Sequence, residues 1–143
     1  MATINPYLNF NGNTEEAFNF YKSVFGGEFL SLQRFKETPD GKNLSRDDGE
    51  KIMHISLPIS NGYILMGTDT LESMGQFSNA GNNFYISVQV ESKDEADRVF
   101  KELSKDGKME MPIQDTFWGA YFGMFADKFG IQWMVNFDYN QEK

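Results

Sequence analysis

The chain contains no cysteine. That removes disulfides, thiol nucleophiles and cysteine-zinc centres together, and it is compatible with a reducing compartment. Histidine is scarce too. His54 is the only one, so any mechanism that needs two imidazoles from one chain is excluded. Basic residues number 13 against 21 acidic, a formal charge of −8. Nucleic acids and anionic membrane surfaces call for a basic face, so neither is expected as a partner. No apolar run approaches the ~18 residues of a membrane span. The opening MATINPYLNF has no basic segment followed by a long apolar core, so it does not read as a signal peptide. The expected location is the cytoplasm. G-x-x-x-x-G-K-[ST], H-E-x-x-H, G-x-S-x-G and G-x-G-x-x-G are all missing.

What is present is a globular composition, 40% hydrophobic and 24% charged over 143 residues. A single domain of that size buries roughly two-thirds of its unfolded surface. Tyr7 to Phe10 reads as a short strand. Asn13, with Glu16 three residues on, resembles a capping box, and Ala17, Phe18, Tyr21, Val24 and Phe25 then form one helical face that Gly26-Gly27 ends. Phe29 to Phe35 reads as a strand. Lys36 to Gly49 is polar and broken by Pro39, Gly41 and Gly49, so a long mobile loop or flap is expected. Lys51 to Pro58 and Gly62 to Gly67 form a hairpin about Asn61-Gly62. Thr68 to Asn82 is expected to link two halves with little regular structure.

The second half repeats the plan. Asn83 to Val90 reads as a strand. Ser92 and Glu95 form a capping box for a helix with Ala96, Val99, Phe100 and Leu103 on one face, ended by Asp106-Gly107. Lys108 to Met111 is a brief strand expected to stop at Pro112. Ala120 to Phe125 and Ile131 to Phe137 form a second hairpin about Asp127 to Gly130, and Asp138 to Lys143 is a polar tail. Setting Gly62 on Gly130 places His54 opposite Phe122, Leu65 opposite Trp133 and Met66 opposite Met134. The helices align on Ala17 and Ala96, and the offset changes only across the longer first-half loop, as in a duplicated unit with an insertion.

The segments PYLNFNGNTEEAFNFYKSVFGGE, MHISLPISNGYILMG and DTFWGAYFGMFADKFGIQWMVN resemble the vicinal oxygen chelate superfamily, the glyoxalase/bleomycin-resistance proteins, and within it the PhnB-like branch. The resemblance covers essentially the whole chain. It implies an α+β fold of two tandem βαβββ modules, whose curved, mostly antiparallel sheets form a cup with helices outside. One domain over 1–143 would then hold module one at about 4–68, a linker at 69–82 and module two at about 83–138. A homodimer is implied as well. Members of this branch are often labelled 3-demethylubiquinone 3-methyltransferase-like, a chemistry to which these residues give no support. Metal-dependent members carry glutamates four residues after the hairpin glycines. Here those places hold Met66 and Met134, and the first-strand places fall near Pro6 or Tyr7 and near Tyr85. Thioethers are poor ligands for hard or borderline divalent ions, so no metal and no other cofactor is expected.

Strand parity nominates the site. Met53, Ile55 and Leu57 are apolar and alternate, so they should face the helix layer, which turns His54 and Ser56 into the cup. Histidine ordinarily titrates near neutrality, so His54 is a candidate base or hydrogen-bond donor. The other reading is a structural imidazole on the cavity wall. Asp115 is a second acid/base candidate, while Asp127 reads as a turn residue. The same parity brings Met66, Tyr85, Gln89, Gln132 and Met134 inward, with Phe122, and Trp118 at the rim. Packing alone is the commoner fate of Met66, Met134 and Phe122. Three functions stay open: metal-free binding of a small, partly apolar ligand, an enzyme using His54 with a carboxylate, and a metal enzyme with non-standard ligands.

Overall fold

The computed structural model describes residues 1–60 and 62–140. Of the expected turn and tail, Asn61 and residues 141–143 lie outside the described residues. The elements run β1 (Tyr7–Phe10), α1 (Thr14–Phe25), β2 (Ser31–Arg34), α2 (Arg46–Glu50), β3 (Ile52–Ser60), β4 (Tyr63–Asp69), β5 (Ile86–Gln89), α3 (Lys93–Leu103), β6 (Lys108–Asp115), β7 (Ala120–Ala126) and β8 (Gln132–Asp138). The first compact unit spans Met1–Asn79 and the second begins at Ala80. Their sheets run β1-β4-β3-β2 and β5-β8-β7-β6. In each, the first strand lies parallel to the last and the other pairings are antiparallel. The fold is therefore α+β and built from two βαβββ modules.

In module one, α1 turns Ala17, Phe18, Tyr21 and Val24 inward, and Ile55, Leu57 and Leu65 supply the buried face of the sheet. Each Val, Leu, Ile or Phe side chain among them, taken fully out of water, contributes roughly 1.5–3 kcal/mol. The Phe18 ring sits over the bare backbone of Gly67, where a Cβ would come within 2.6 Å of it. In module two, α3 buries Ala96, Val99, Phe100 and Leu103, with Phe125, Trp133 and Val135 from the sheet. Here the close approach is at Gly123, whose Cβ would meet Phe100 at 2.5 Å.

The helix starts are solved differently. Asn13 is the N-cap of α1, but its side chain makes no capping bond. The Asp69 carboxylate takes the role from the end of β4. One oxygen accepts from Gly12 N, Thr14 N and the Thr14 hydroxyl at 3.1, 3.0 and 2.6 Å, and the other from Ile52 N at 2.8 Å. A charged acceptor at a helix N-terminus outcompetes a neutral amide. In α3 the Ser92 hydroxyl accepts from Glu95 N at 3.0 Å, while the Glu95 carboxylate accepts from Glu91 N, one residue before the cap.

Four local expectations need correction. Lys36 to Gly49 is not an unstructured flap. It holds two 3-10 turns (Phe35–Glu37, Gly41–Asn43) and most of α2, which Ser45 caps through Asp48 N. Its polar residues pair with one another and with the module: Lys36 with Glu50 at 2.8 Å, Arg34 with Glu15 at 2.9 Å, and Asp48 with Lys51 at 3.1 Å and the Ser73 hydroxyl at 2.6 Å. β6 does not stop at Pro112 but continues to Asp115. It is an edge strand, where proline's missing N–H costs no ladder bond, and its register slips on both sides of Met111. Asp69 belongs to β4, and the linking stretch also contains a 3-10 turn at Glu72–Met74. Finally, Met53 is the extra residue at a bulge, because Gln33 pairs with His54 and Arg34 with Ile52. The bulge gives Ile52 a buried place and leaves Met53 partly exposed.

Candidate functional site

On sheet one the face away from α1 carries Tyr7 and Asn9 from β1, Met66 and Thr68 from β4, and His54 and Ser56 from β3. The alternation follows from the burial of Leu8, Phe10, Leu65, Ile55 and Leu57 on the other side. Tyr7 pairs with Met66, and His54 pairs with Gln33 on β2. The Tyr7 hydroxyl lies 3.0 Å from His54 Nδ1, with the ring centroids 5.7 Å apart. The two side chains thus reach across β4 from its flanking strands. Burial pushes the Tyr7 phenol up, so it keeps its proton. Ser56 is tied to the Ser31 hydroxyl at 2.9 Å, and the Thr68 hydroxyl donates to Met53 O at 2.7 Å.

Beside this pair, module one holds a hollow of about 750 Å³ whose lining includes Asn9, Phe35, Met53, Thr68, Met74 and Phe77. None of the site residues nominated from sequence lines it. Met53 and Thr68 join it to the strands of His54. Its outer wall comes from Leu71 to Ser78, the stretch read as a featureless linker. The one available signal was that Met74 and Phe77 are large apolar residues in a segment that gives them no core to enter.

The open face of sheet two is different. Met134 pairs with Ser87 and Met124, and Met124 pairs with Met111, so three thioethers stand in a row across neighbouring strands. Ser87, not Tyr85, is the residue in register with Met134. Tyr85 precedes β5 and its hydroxyl donates to the Glu110 carboxylate, which holds the phenol above its usual range. Gln132 is nearly buried, and its amide donates to Phe84 O at 2.6 Å, so it is a structural tie. Gln89 accepts from Asn136 at 2.9 Å. Trp118 packs edge-on against Phe122 at 5.7 Å and stays half exposed. Asp115 is engaged by the Tyr139 hydroxyl. Asp127 is the turn residue expected, accepting from Phe129 N, Ile131 N and the Trp133 indole at 2.8, 3.0 and 2.8 Å.

The places where a metal would be expected carry Tyr7 and Met66 on sheet one, and Ser87 and Met134 on sheet two. Hydroxyls and thioethers in that combination do not fit a hard or borderline divalent ion. Among the described residues no group of three histidine, aspartate or glutamate side chains is placed to hold one. No helix among them is long and apolar enough to cross a membrane.

Two βαβββ modules with helices on one face of each sheet define a class. The family model of the Glyoxalase/Bleomycin resistance protein/Dioxygenase superfamily matches residues 3–135, and the chain belongs to that family. Among its relatives, Protein YjdN of Escherichia coli (strain K12) is 33% identical over 141 residues, 93% of each chain. Protein PA1353 from Pseudomonas aeruginosa is 38% identical with a TM-score of 0.84, covering 96% of this chain and 98% of that one. A PhnB protein from Bacillus cereus, with a provisional description as a 3-demethylubiquinone-9 3-methyltransferase, is 29% identical with a TM-score of 0.75, over 95% and 99% of the two chains.

Proposed function

We propose that this protein binds a small, partly apolar molecule without a metal, as a cytoplasmic homodimer, and that the open face of module one is the principal site. The hollow of about 750 Å³ carries the proposal. Its size suits a small ligand, and it mixes apolar walls from Phe35, Met53, Met74 and Phe77 with polar groups from Asn9, Thr68 and Gln76. The Tyr7–His54 pair supplies a polar landmark beside it. Methionine thioethers, flexible and polarisable, suit a wall that adapts to its guest. The methyl-transfer description of the Bacillus cereus relative is not part of this proposal, because the chain lacks a glycine-rich cofactor loop and its described sheets are not the parallel kind that cradle nucleotides.

A thermal-shift screen of small aromatic and aliphatic compounds tests the site. Compounds that stabilise the wild type should bind at least about tenfold more weakly to Met53→Trp, which fills the hollow. Equal binding to both proteins would move the site elsewhere. Elemental analysis after dialysis without chelator should find far less than one transition-metal ion per chain; about one would overturn the metal-free reading. Light scattering should report twice the 16.4 kDa chain, as a symmetric pair requires, and a monomer mass would remove the dimer.

A further inference from the structure

The contact between Tyr7 and His54 has a direction. The phenol oxygen is 3.0 Å from Nδ1, and in a neutral imidazole one ring nitrogen carries the proton while the other accepts. A phenol is a good donor and a weak acceptor, and a ring nitrogen with a free lone pair is a strong acceptor. Among the described residues the Tyr7 hydroxyl has no other partner, so donating to Nδ1 is the one arrangement that uses its proton within the chain. That arrangement leaves the imidazole proton on Nε2, which makes no hydrogen bond to any described residue. Tyr7 approaches from the β1 side of the sheet, and on the other side of His54 stands its register partner Gln33, exposed on β2. The Thr68 hydroxyl, on the strand between, is already spent on the backbone of β3.

We infer that Tyr7 holds His54 as the Nε2-protonated tautomer, which makes the imidazole a fixed hydrogen-bond donor on the open face of module one and selects ligands whose apolar body carries an oxygen acceptor such as a carbonyl or carboxylate. Tyr7 is a positioning residue in this scheme. It settles which nitrogen meets the ligand, a detail that decides whether a histidine reads donors or acceptors. The ligand class rests on the binding reading above, whereas the tautomer does not.

The single histidine makes the test unambiguous. In a long-range nitrogen–proton NMR spectrum at a pH where the ring is neutral, wild-type protein should show Nδ1 as the unprotonated and Nε2 as the protonated nitrogen. In Tyr7→Phe, which removes one hydroxyl outside the core, the two nitrogen shifts should move toward the averaged values of free imidazole. A proton on Nδ1 in the wild type, or unchanged shifts in a folded Tyr7→Phe, would overturn the assignment. The ligand class is read with two probes of one shape, acetophenone and ethylbenzene, at millimolar concentration. Acetophenone should displace the His54 Nε2 resonance severalfold more than ethylbenzene does, and its tighter binding, read on the module-one amide resonances, should fall to that of ethylbenzene in His54→Phe. Equal displacement by both would remove the acceptor requirement and leave the binding reading standing. If neither perturbs any module-one resonance, the binding reading falls and the acceptor class with it, while the tautomer result holds.

Discussion

The two modules share strand order, pairing directions and helix placement, yet each is tied together at a different point. In module one the most deeply buried carboxylate is Asp69, ahead of Asp48, and it joins β4 to the start of α1 and to the first residue of β3. In module two it is Asp127, which closes a hairpin turn and holds the indole of Trp133. The Asp69 contacts span up to 57 residues of chain, whereas the turn and indole bonds of Asp127 span 2, 4 and 6. The first module therefore spends its buried charge on long-range closure, and the second on a local turn, with its helix started by its own Ser92. Topology repeats because sheet and helix must cover each other's apolar faces. Buried polar chemistry is free to drift as long as every donor finds an acceptor.

The comparison can be broken by removing one tie at a time. Asp69→Ala should have the largest effect, about 3–5 kcal/mol of lost stability by urea unfolding, since three buried donors and a part-buried fourth lose a charged acceptor together. Asp127→Ala should cost about 2–4 kcal/mol, and an equal or larger loss there would mean local closure matters as much as long-range closure. Next come the caps. Ser92→Ala should cost about 1 kcal/mol and Asn13→Ala only a few tenths, because Asn13's side chain caps nothing. Equal losses would show that Asn13 shares the capping with Asp69.

The smallest expected difference lies in acid. Glu15, Asp48 and Glu50 are held below their ordinary values, chiefly by hydrogen bonds from Arg34, from Ser73 and Lys51, and from Lys36. All three belong to module one. A carboxylate with a depressed folded pKa contributes stability that is present above its unfolded pKa and lost as pH falls through the folded value. Module one should therefore weaken below about pH 4. In module two, Tyr85, Tyr121 and Tyr139 are raised, chiefly by hydrogen bonds to Glu110, Asp97 and Asp115, with Tyr121 reaching about 12. Their contribution is complete below the ordinary tyrosine value of 10.0 and is lost as pH rises through the folded values. Both tryptophans, Trp118 and Trp133, lie in module two, and the core of module one includes Ile55 and Leu57. On acidification the Ile55 and Leu57 amide resonances should lose their dispersion before tryptophan emission changes. Simultaneous change would show the modules unfolding as one cooperative unit.

Much of this was legible from the residues alone. Hydrophobic period fixed α1 and α3 within a residue or two, and the aligned hairpins gave both βαβββ modules. Where apolar residues alternated cleanly, as at Leu65, Trp133 and Val135, the buried face followed. His54 stands opposite the buried face because Ile55 and Leu57 anchor the other one, although Met53, used in the same argument, does not join them. A bulge is set by pairing with a partner strand and leaves no periodic trace. The same holds for Pro112, which a central strand would have excluded and an edge strand accepts. Nor could spacing reveal that Asp69 caps a helix 55 residues away, or that Tyr7 rather than a carboxylate would partner His54. The hollow escaped because its wall is built from Leu71 to Ser78, which has neither strand nor helix period.

The two close approaches of ring to bare backbone have a consequence for engineering. Phe18 rests on Gly67 in the last strand of its sheet, whereas Phe100 rests on Gly123 in the strand before the last of its own. Each helix carries a protrusion cut for a notch in one sheet only. A chimera that placed α3 on the first sheet, or α1 on the second, would set an aromatic ring against a filled position and leave the notch empty. The halves of this pseudo-symmetric chain have become a left and a right shoe: alike in pattern, and no longer exchangeable.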